Sequence, residues 1–245
     1  MSASKPLVVI TGASSGIGES CARAFAARGH PVLALARRLK EMEEKYADND
    51  LITPMKCDVT VSGSIEAAIA AAEAKHGPVD CLVNNAGVML LHDFVTQKEA
   101  EFDLMLQVNI RGVINGLRAV LAGMKARKTG TIINISSIAG LKGFPNHAVY
   151  CGTKYAVRGI TEVLREECAP VNVRFVSICP GAVETELLGH TTDNGVIDGY
   201  QDWKKTMDLG VLQPQDVSDA AVFAYSAPAR CCVREIVLGP TNQGP

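Results

Sequence analysis

Short apolar runs recur along the chain and alternate with segments of mixed polarity. The runs are rich in valine, isoleucine and leucine, and most of them are continuous rather than broken by polar residues at every second position. Strands buried on both faces of a parallel sheet have this pattern. Strands are therefore predicted at 6–11, 31–36, 51–59, 79–85, 130–136, 171–178 and 234–239.

The segments between these runs have the spacing of helices. Helices are predicted at 17–28, 38–47, 64–76, 98–127, 148–168 and 215–226. Pro214 precedes the last of them, and proline is favoured in a first helical turn. Repeated strand–helix units predict an α/β fold, a doubly wound parallel sheet with right-handed connections and helices on both faces. No linker or repeat interrupts the pattern, so one domain over 1–245 is expected.

Composition narrows the classes of function. The chain has a net charge of -2, so no basic field favours nucleic acid or an anionic membrane. No apolar run approaches the ~20 residues of a membrane helix, and the first residues lack a signal-peptide pattern. The eight cysteines form no CxxC pair, so neither a metal site nor a disulfide framework is predicted. Reduced thiols and a cytoplasmic location are expected.

The first predicted strand runs into a glycine-rich turn, TGASSGIG at 11–18, which opens the first helix. Glycines let the backbone approach a pyrophosphate, and the free N–H groups of a helix N-terminus bind it. The serine hydroxyls add donors. The residues predicted to bind phosphate are Gly12, Ser14, Ser15, Gly16, Ile17 and Gly18.

Two arginines follow the second predicted strand. At this position an acidic residue would accept the ribose hydroxyl of NAD, whereas an arginine binds the 2′-phosphate of NADP. Arg37 and Arg38 stand here, and guanidinium groups bind phosphate through charge-assisted hydrogen bonds. NADP(H) is therefore the predicted cofactor, with more weight on Arg37 than on Arg38.

A tyrosine and a lysine four residues apart open the helix predicted at 148–168. Tyr150 and Lys154 share one face of that helix, and a neighbouring cation is expected to lower the pKa of the phenol. Ser137, at the end of the preceding strand, can reach the same reacting oxygen. Tyr200 and Lys204 have the same spacing, but no strand-end serine precedes them, so this second pair is interpreted as accidental.

Together these motifs resemble the short-chain dehydrogenase/reductase family over essentially the whole chain. The matching segments, in order, are TGASSGIG at 11–18, the arginine pair, CDV at 57–59, NNAG at 84–87, asparagine 109, serine 137, YCGTK at 150–154 and PGAVET at 180–185. The resemblance implies a Rossmann-like sheet of about seven strands. It most resembles the NADP-dependent branch of 3-hydroxy acid (serine-type) dehydrogenases and related aldehyde or alcohol reductases.

The resemblance also implies roles for matching residues. Asn109, Ser137, Tyr150 and Lys154 match the catalytic set. Tyr150 would exchange the proton, Ser137 would hold the reacting oxygen, Lys154 would bind the nicotinamide ribose, and a helix kink at Asn109 would hold a relay water. The further cofactor contacts implied are Asp58, Val59, Asn85, Ala86, Gly87, Pro180, Gly181, Val183 and Thr185.

Specificity is expected in a flap over about 184–212 and in the loop before Tyr150. The substrate-pocket candidates are Leu141, Phe144, His147, Leu188 and Trp203. An acidic substrate would need a cation, for which Lys142, Lys204 and Lys205 are candidates. The choice between an acid and a neutral alcohol stays open.

Two functions of different classes remain. The first is an NADP(H)-dependent oxidoreductase that interconverts a small alcohol or hydroxy acid and its carbonyl compound. The second is a non-catalytic NADP(H)-binding regulatory protein of the same fold, against which the complete catalytic set argues. The resemblance also implies a homodimer or homotetramer, paired through the helices at 98–127 and 148–168.

Overall fold

A computed structural model describes residues 5–244 of the chain; residues 1–4 and 245, which the domain predicted over 1–245 includes, lie outside the described residues. Seven parallel strands form one sheet in the order β3-β2-β1-β4-β5-β6-β7. Their bounds are β1 Leu7–Thr11, β2 Val32–Ala36, β3 Ile52–Lys56, β4 Val79–Asn84, β5 Gly130–Ile135, β6 Val173–Pro180 and β7 Glu235–Leu238. Each lies within a predicted strand apart from β6, which runs on to Pro180.

Eight α-helices cover the two faces of the sheet. Their bounds are α1 Gly16–Ala27, α2 Leu39–Lys45, α3 Ser64–His76, α4 Glu99–Met105, α5 Gly112–Arg127, α6 Ala148–Cys168, α7 Asn194–Lys205 and α8 Pro214–Ser226. This is the predicted Rossmann-like, doubly wound α/β fold. No helix within residues 5–244 is long and apolar enough to cross a membrane.

The core explains why the strands are continuous apolar runs. In β1, Leu7 and Val9 belong to the cluster on one face of the sheet, and Val8 and Ile10 belong to the cluster on the other. All four side chains are completely buried. Because successive side chains of a strand point to opposite faces, a sheet covered on both sides needs apolar residues at every position.

The structure corrects two predicted elements and adds a helix. The helix predicted over 98–127 is divided by a π-helical turn, Leu106–Arg111. The strand predicted to reach residue 59 ends at Lys56, and the Asp58 carboxylate then turns the chain by accepting from Thr60 N–H at 2.9 Å. Helix α7 was not predicted at all; Asp193 caps it by accepting from Val196 N–H at 3.1 Å.

Candidate active site

A cavity of about 1130 Å³ opens at the carboxyl ends of the central strands. It exceeds the ~300–1,000 Å³ typical of a site for one small ligand, so it has room for a dinucleotide and a substrate together. The strand order reverses between β1 and β4, and ligands of open α/β sheets bind at such a reversal.

The glycine-rich turn forms one end of the cavity. Gly12 and Gly16 have positive φ angles of 68° and 55°, which glycine adopts without strain. A Cβ on Gly12 would lie 2.8 Å from the Ala86 Cα, so the turn packs directly on the loop after β4. Ser15 precedes α1 and makes no side-chain cap bond, and its hydroxyl accepts from the Arg38 guanidinium instead.

Gly18 has a different place from the other two glycines. It does not line the cavity. A Cβ there would lie 2.2 Å from the Gly12 carbonyl oxygen, so Gly18 lets the helix pack against the turn. Gly18 therefore has a structural role in the turn.

The two arginines at this end of the cavity make different contacts. The Arg38 guanidinium donates to the Ser14 hydroxyl from Nε at 3.1 Å and from Nη2 at 2.9 Å, and to the Ser15 hydroxyl at 2.8 Å. It also meets the Glu186 carboxylate at 3.2 Å. Arg37 lines the same cavity. Hydrogen bonds from Thr60 lower the pKa of the Asp58 carboxyl, and the nearby Arg37 charge lowers it further. The glycine-rich turn therefore holds Arg38 in place, the arginine that received less weight as a predicted phosphate contact.

The loop after β4 is tied to the end of β1. Asn85 and Ala86 donate their backbone N–H groups to the Thr11 hydroxyl at 3.0 and 3.1 Å. The Asn85 side chain donates to the Thr11 carbonyl oxygen at 3.0 Å. Asn85 therefore has a structural role in joining the two strands. It lines the cavity together with Ala86, Gly87, Asp58 and Val59.

The loop after β6 lines the cavity between the turn and the catalytic residues. Pro180, Gly181, Val183 and Thr185 all line it, as predicted for cofactor contacts. The Thr185 hydroxyl accepts from Leu187 N–H at 3.4 Å. A Cβ on Gly16 would lie 3.2 Å from the Thr185 Cγ2, so this loop closes over the glycine-rich turn.

Ser137, Tyr150 and Lys154 meet in the middle of the cavity. Tyr150 and Lys154 lie one turn apart on α6, and the Lys154 Nζ lies 5.6 Å from the centre of the phenol ring. The Lys154 ammonium donates to the Ile135 carbonyl oxygen at 3.1 Å. Ser137 has extended backbone angles, and its hydroxyl accepts from Ala139 N–H at 3.1 Å. The three residues predicted to act together are close to one another.

Burial dominates the proton affinities of this group. It raises the pKa of the Tyr150 phenol, against the opposing effect of the Ser137 hydroxyl, and the nearby Tyr200 raises it further. Burial also lowers the pKa of Lys154 from 10.5 to about 8. The pKa of the phenol is therefore raised overall by burial, whereas a lowered value was expected from the sequence.

Asn109 lies in the π-helical turn, and its side chain is fully engaged. Its carboxamide accepts from Val88 N–H at 2.8 Å, and it donates to the Val88 carbonyl oxygen at 2.9 Å and to the Thr153 hydroxyl at 3.1 Å. The Thr153 hydroxyl in turn donates to the Tyr150 carbonyl oxygen at 2.7 Å. Asn109 does not line the cavity, so its side chain positions the helix that carries the catalytic phenol.

Four of the five substrate-pocket candidates line the cavity: Phe144, His147, Leu188 and Trp203. Leu141 does not line it, because it ends the short 3-10 turn of Ile138–Gly140 outside the cavity wall. The structure adds Tyr200, whose pair with Lys204 was interpreted as accidental. Tyr200 lines the cavity, and the signal that could have found it is a ring one helical turn from Trp203.

Comparison with known proteins agrees with this site. A family model described as short chain dehydrogenase matches residues 6–195. An uncharacterized oxidoreductase of Staphylococcus saprophyticus is 40% identical over 244 residues, covering 97% of this chain and 96% of that protein.

Two solved structures share the fold over nearly their full length. The closed form of a serine dehydrogenase complexed with NADP+ has a TM-score of 0.90 at 32% identity, covering 98% of this chain and 96% of that one. A 3-ketoacyl-(acyl-carrier-protein) reductase from Brucella melitensis complexed with NADH has a TM-score of 0.88 at 29% identity, covering 99% and 100%. The extent of the family match shows that this chain belongs to the short chain dehydrogenase family.

Proposed function

We propose that the protein is an NADP(H)-dependent oxidoreductase that interconverts a small alcohol and its carbonyl compound. The observation that carries the proposal is one continuous cavity with a phosphate-binding turn and two arginines at one end and Ser137, Tyr150 and Lys154 in its middle. NADP(H), when bound, supplies the hydride for reduction, becoming NADP+, or accepts it for oxidation.

The residues present fit this cofactor. Gly12 and Gly16 line the cavity and give the turn its shape through their positive φ angles, and Ser14 and Ser15 add hydroxyl donors. Arg38, held on these serines, offers the charge that a 2′-phosphate needs. One structural neighbour is complexed with NADP+ and the other with NADH. The two arginines support NADP(H) rather than NAD(H) as the cofactor of this chain.

Tyr150 is the proposed general acid and base. Its raised pKa keeps the phenol protonated near neutral pH, which is the form that donates a proton to a carbonyl oxygen during reduction. The Ser137 hydroxyl would hold the same oxygen. Lys154, with a pKa of about 8, is mostly charged at pH 7 and stabilises the phenolate that proton donation leaves behind. In oxidation the same groups act in reverse.

Removal of either arginine is expected to weaken binding of NADPH far more than of NADH. Arg37→Ala and Arg38→Ala should each raise the Kd for NADPH by about tenfold or more, the usual value of a charged hydrogen bond to phosphate. The measurement is a fluorescence titration with each cofactor. Arg230→Ala is the control, because Arg230 is exposed and lies outside the cavity. Equal losses for NADPH and NADH would contradict the assignment.

We further propose that the protein forms a homodimer or homotetramer through α4, α5 and α6. Several apolar side chains on these helices and the turn between α4 and α5 are exposed, which supports pairing there: Leu104, Leu106, Tyr155 and Val163. Light scattering that finds a monomer at micromolar concentration would contradict this. A cytoplasmic setting is also proposed, supported by eight cysteines that are all free thiols.

A further inference from the structure

Four aromatic rings stand beside the catalytic phenol on the side of the flap. The His147 ring lies 6.2 Å from the Tyr150 ring and 6.3 Å from the Tyr200 ring, centre to centre. Trp203 meets Tyr200 edge to face at 5.2 Å, and Phe144 lies 5.6 Å from His147. We name Phe144, His147, Tyr200 and Trp203 the aromatic wall. Such rings bind planar and apolar groups through buried area and edge-to-face contacts.

The residues just before α7 anchor the helix that carries two rings of the wall, Tyr200 and Trp203. The Thr191 hydroxyl accepts from Leu91 N–H at 3.1 Å, and the Thr191 side chain is buried. Asp193, the cap of α7, lies 3.2 Å from the His92 ring nitrogen. The segment after β4 and the start of α7 are thus joined at two points, so Tyr200 and Trp203 project from an anchored helix rather than from a free loop.

The lysine of α7 that lines the cavity, Lys204, is already paired. The Lys204 ammonium lies 2.6 Å from the Glu184 carboxylate, and its side chain is only 13% exposed. Both residues line the cavity. The pair presents no net charge to a ligand. Burial raises the pKa of the Tyr200 phenol, and the nearby Glu184 carboxylate raises it further.

The other candidate cations are also engaged or face away. The Lys142 ammonium lies 4.7 Å from the centre of the Phe144 ring and does not line the cavity. Lys205 is bound to Asp202 at 2.8 Å and is exposed. Burial lowers the pKa of the His147 imidazole, so it is neutral at pH 7.

One further ring on the rim, His190, is solvent-exposed and lies with its Nδ1 3.1 Å from the Leu187 carbonyl oxygen. Asp93 and Asp193 add negative charge on the same side. Apart from Lys154, which belongs to the catalytic group, no buried cation without a carboxylate partner lines the cavity among residues 5–244. A carboxylate placed there would lose its water without gaining a partner, which costs several kcal/mol in general.

We propose that the substrate is an uncharged aldehyde or ketone, or the corresponding alcohol, whose reacting carbon carries an aryl or similar planar apolar group, and not a hydroxy acid. This inference rests on the proposed function, since it takes Tyr150 as the proton donor. The carbonyl oxygen meets Ser137 and Tyr150 while the planar group lies against the aromatic wall. In reduction the carbon gains one hydride and the oxygen gains one proton, and the phenolate recovers its proton from solvent.

Two aldehydes that differ in charge and by one methyl group test this. Methyl 4-formylbenzoate is neutral and 4-formylbenzoate carries a carboxylate, on the same ring. With NADPH we expect kcat/KM to be about tenfold or more higher for the ester. The Lys204 ammonium is already paired with Glu184, so the carboxylate of 4-formylbenzoate would be buried without a cationic partner. Equal values, or a preference for the carboxylate, would overturn the proposal.

A charge-releasing variant makes the test specific. Glu184→Gln leaves the Lys204 ammonium without its partner, so the preference for the ester is expected to fall by about fivefold, the value of one ion pair near the surface. Asp202→Asn is the matched control, since it frees Lys205 outside the cavity and should leave the ratio unchanged. A ratio that Glu184→Gln does not change would remove Lys204 from the explanation and count against the proposal.

Binding gives a second readout that does not depend on turnover. Trp203 is the single tryptophan, and its place in the aromatic wall means that the ester should quench its fluorescence at concentrations where the carboxylate does not. If aliphatic ketones are reduced and neither aromatic aldehyde is bound or reduced, the substrate class is wrong and the oxidoreductase stands. If NADPH binds and no carbonyl compound is reduced, both proposals fail.

Discussion

Replacing Tyr150 by phenylalanine is expected to lower kcat for carbonyl reduction by about 10²–10⁴-fold, the usual contribution of a positioned general acid. The variant loses one hydroxyl and keeps the buried ring, so the fold and the edge-to-face contact with His147 should survive. The affinity for NADPH should change much less than kcat, because the glycine-rich turn and the two arginines, Arg37 and Arg38, are unchanged.

A second tyrosine on the same helix supplies the control. Tyr155 is 45% exposed and lies outside the cavity, so Tyr155→Phe should keep full activity. Steady-state rates and NADPH titrations of both variants decide the matter. A Tyr150→Phe enzyme that keeps more than about a tenth of the wild-type kcat would show that another group donates the proton.

Replacing Lys154 by methionine is expected to abolish activity and to make the protein more stable. A pKa lowered from 10.5 to about 8 corresponds to about 3 kcal/mol of folding free energy lost to burying the charged amine. Loss of the hydrogen bond to the Ile135 carbonyl oxygen offsets about 1–2 kcal/mol of the gain. A net gain of about 1–2 kcal/mol at pH 7 should raise Tm by about 3–6 °C.

The pH dependence of this difference has a definite sign. Below pH 8 the amine is charged in both the folded and the unfolded chain, so its full cost is present in the wild type. Between pH 8 and 10.5 the folded amine loses its proton before the unfolded one does, and the cost disappears. The Tm difference between Lys154→Met and wild type should therefore shrink from pH 7 to pH 9.5.

Lys205→Met serves as the control for this measurement, since that ammonium is exposed. Its Tm should follow the wild type at both pH values. A Lys154→Met protein that melts below the wild type at pH 7 would mean that the buried ammonium stabilises the fold in spite of its desolvation.

Local sequence was sufficient for the parts of the site that depend on one turn or one helix. The glycines of the turn at 11–18 and the four-residue spacing of Tyr150 and Lys154 carry their own geometry, because backbone conformation and helix period are local. The parallel sheet followed from continuous apolar runs, and the two clusters that share β1 confirm the reason.

The properties that were missed depend on contacts between distant segments. The pKa of Tyr150 is decided by how completely α6 is covered, and a neighbouring lysine in the sequence does not report that. The contact of Arg38 with Ser14 joins residues that are distant in the chain, so the sequence did not show it. Helix α7 contains two glycines, which have low helix propensity, so it was not predicted although Val196, Tyr200 and Trp203 recur at helical spacing, and Tyr200 was lost with it.

Transfer of deuterium from NADPH that carries deuterium at both C4 positions of the nicotinamide ring is the measurement to make first. The purified protein would be incubated with the labelled cofactor and methyl 4-formylbenzoate, and the deuterium content of the alcohol product would be measured by mass spectrometry. One deuterium in each product molecule, formed at a rate that falls with Tyr150→Phe, is the expected result. Alcohol without deuterium, or a rate indifferent to Tyr150, would contradict a hydride-transferring enzyme with Tyr150 as its proton donor.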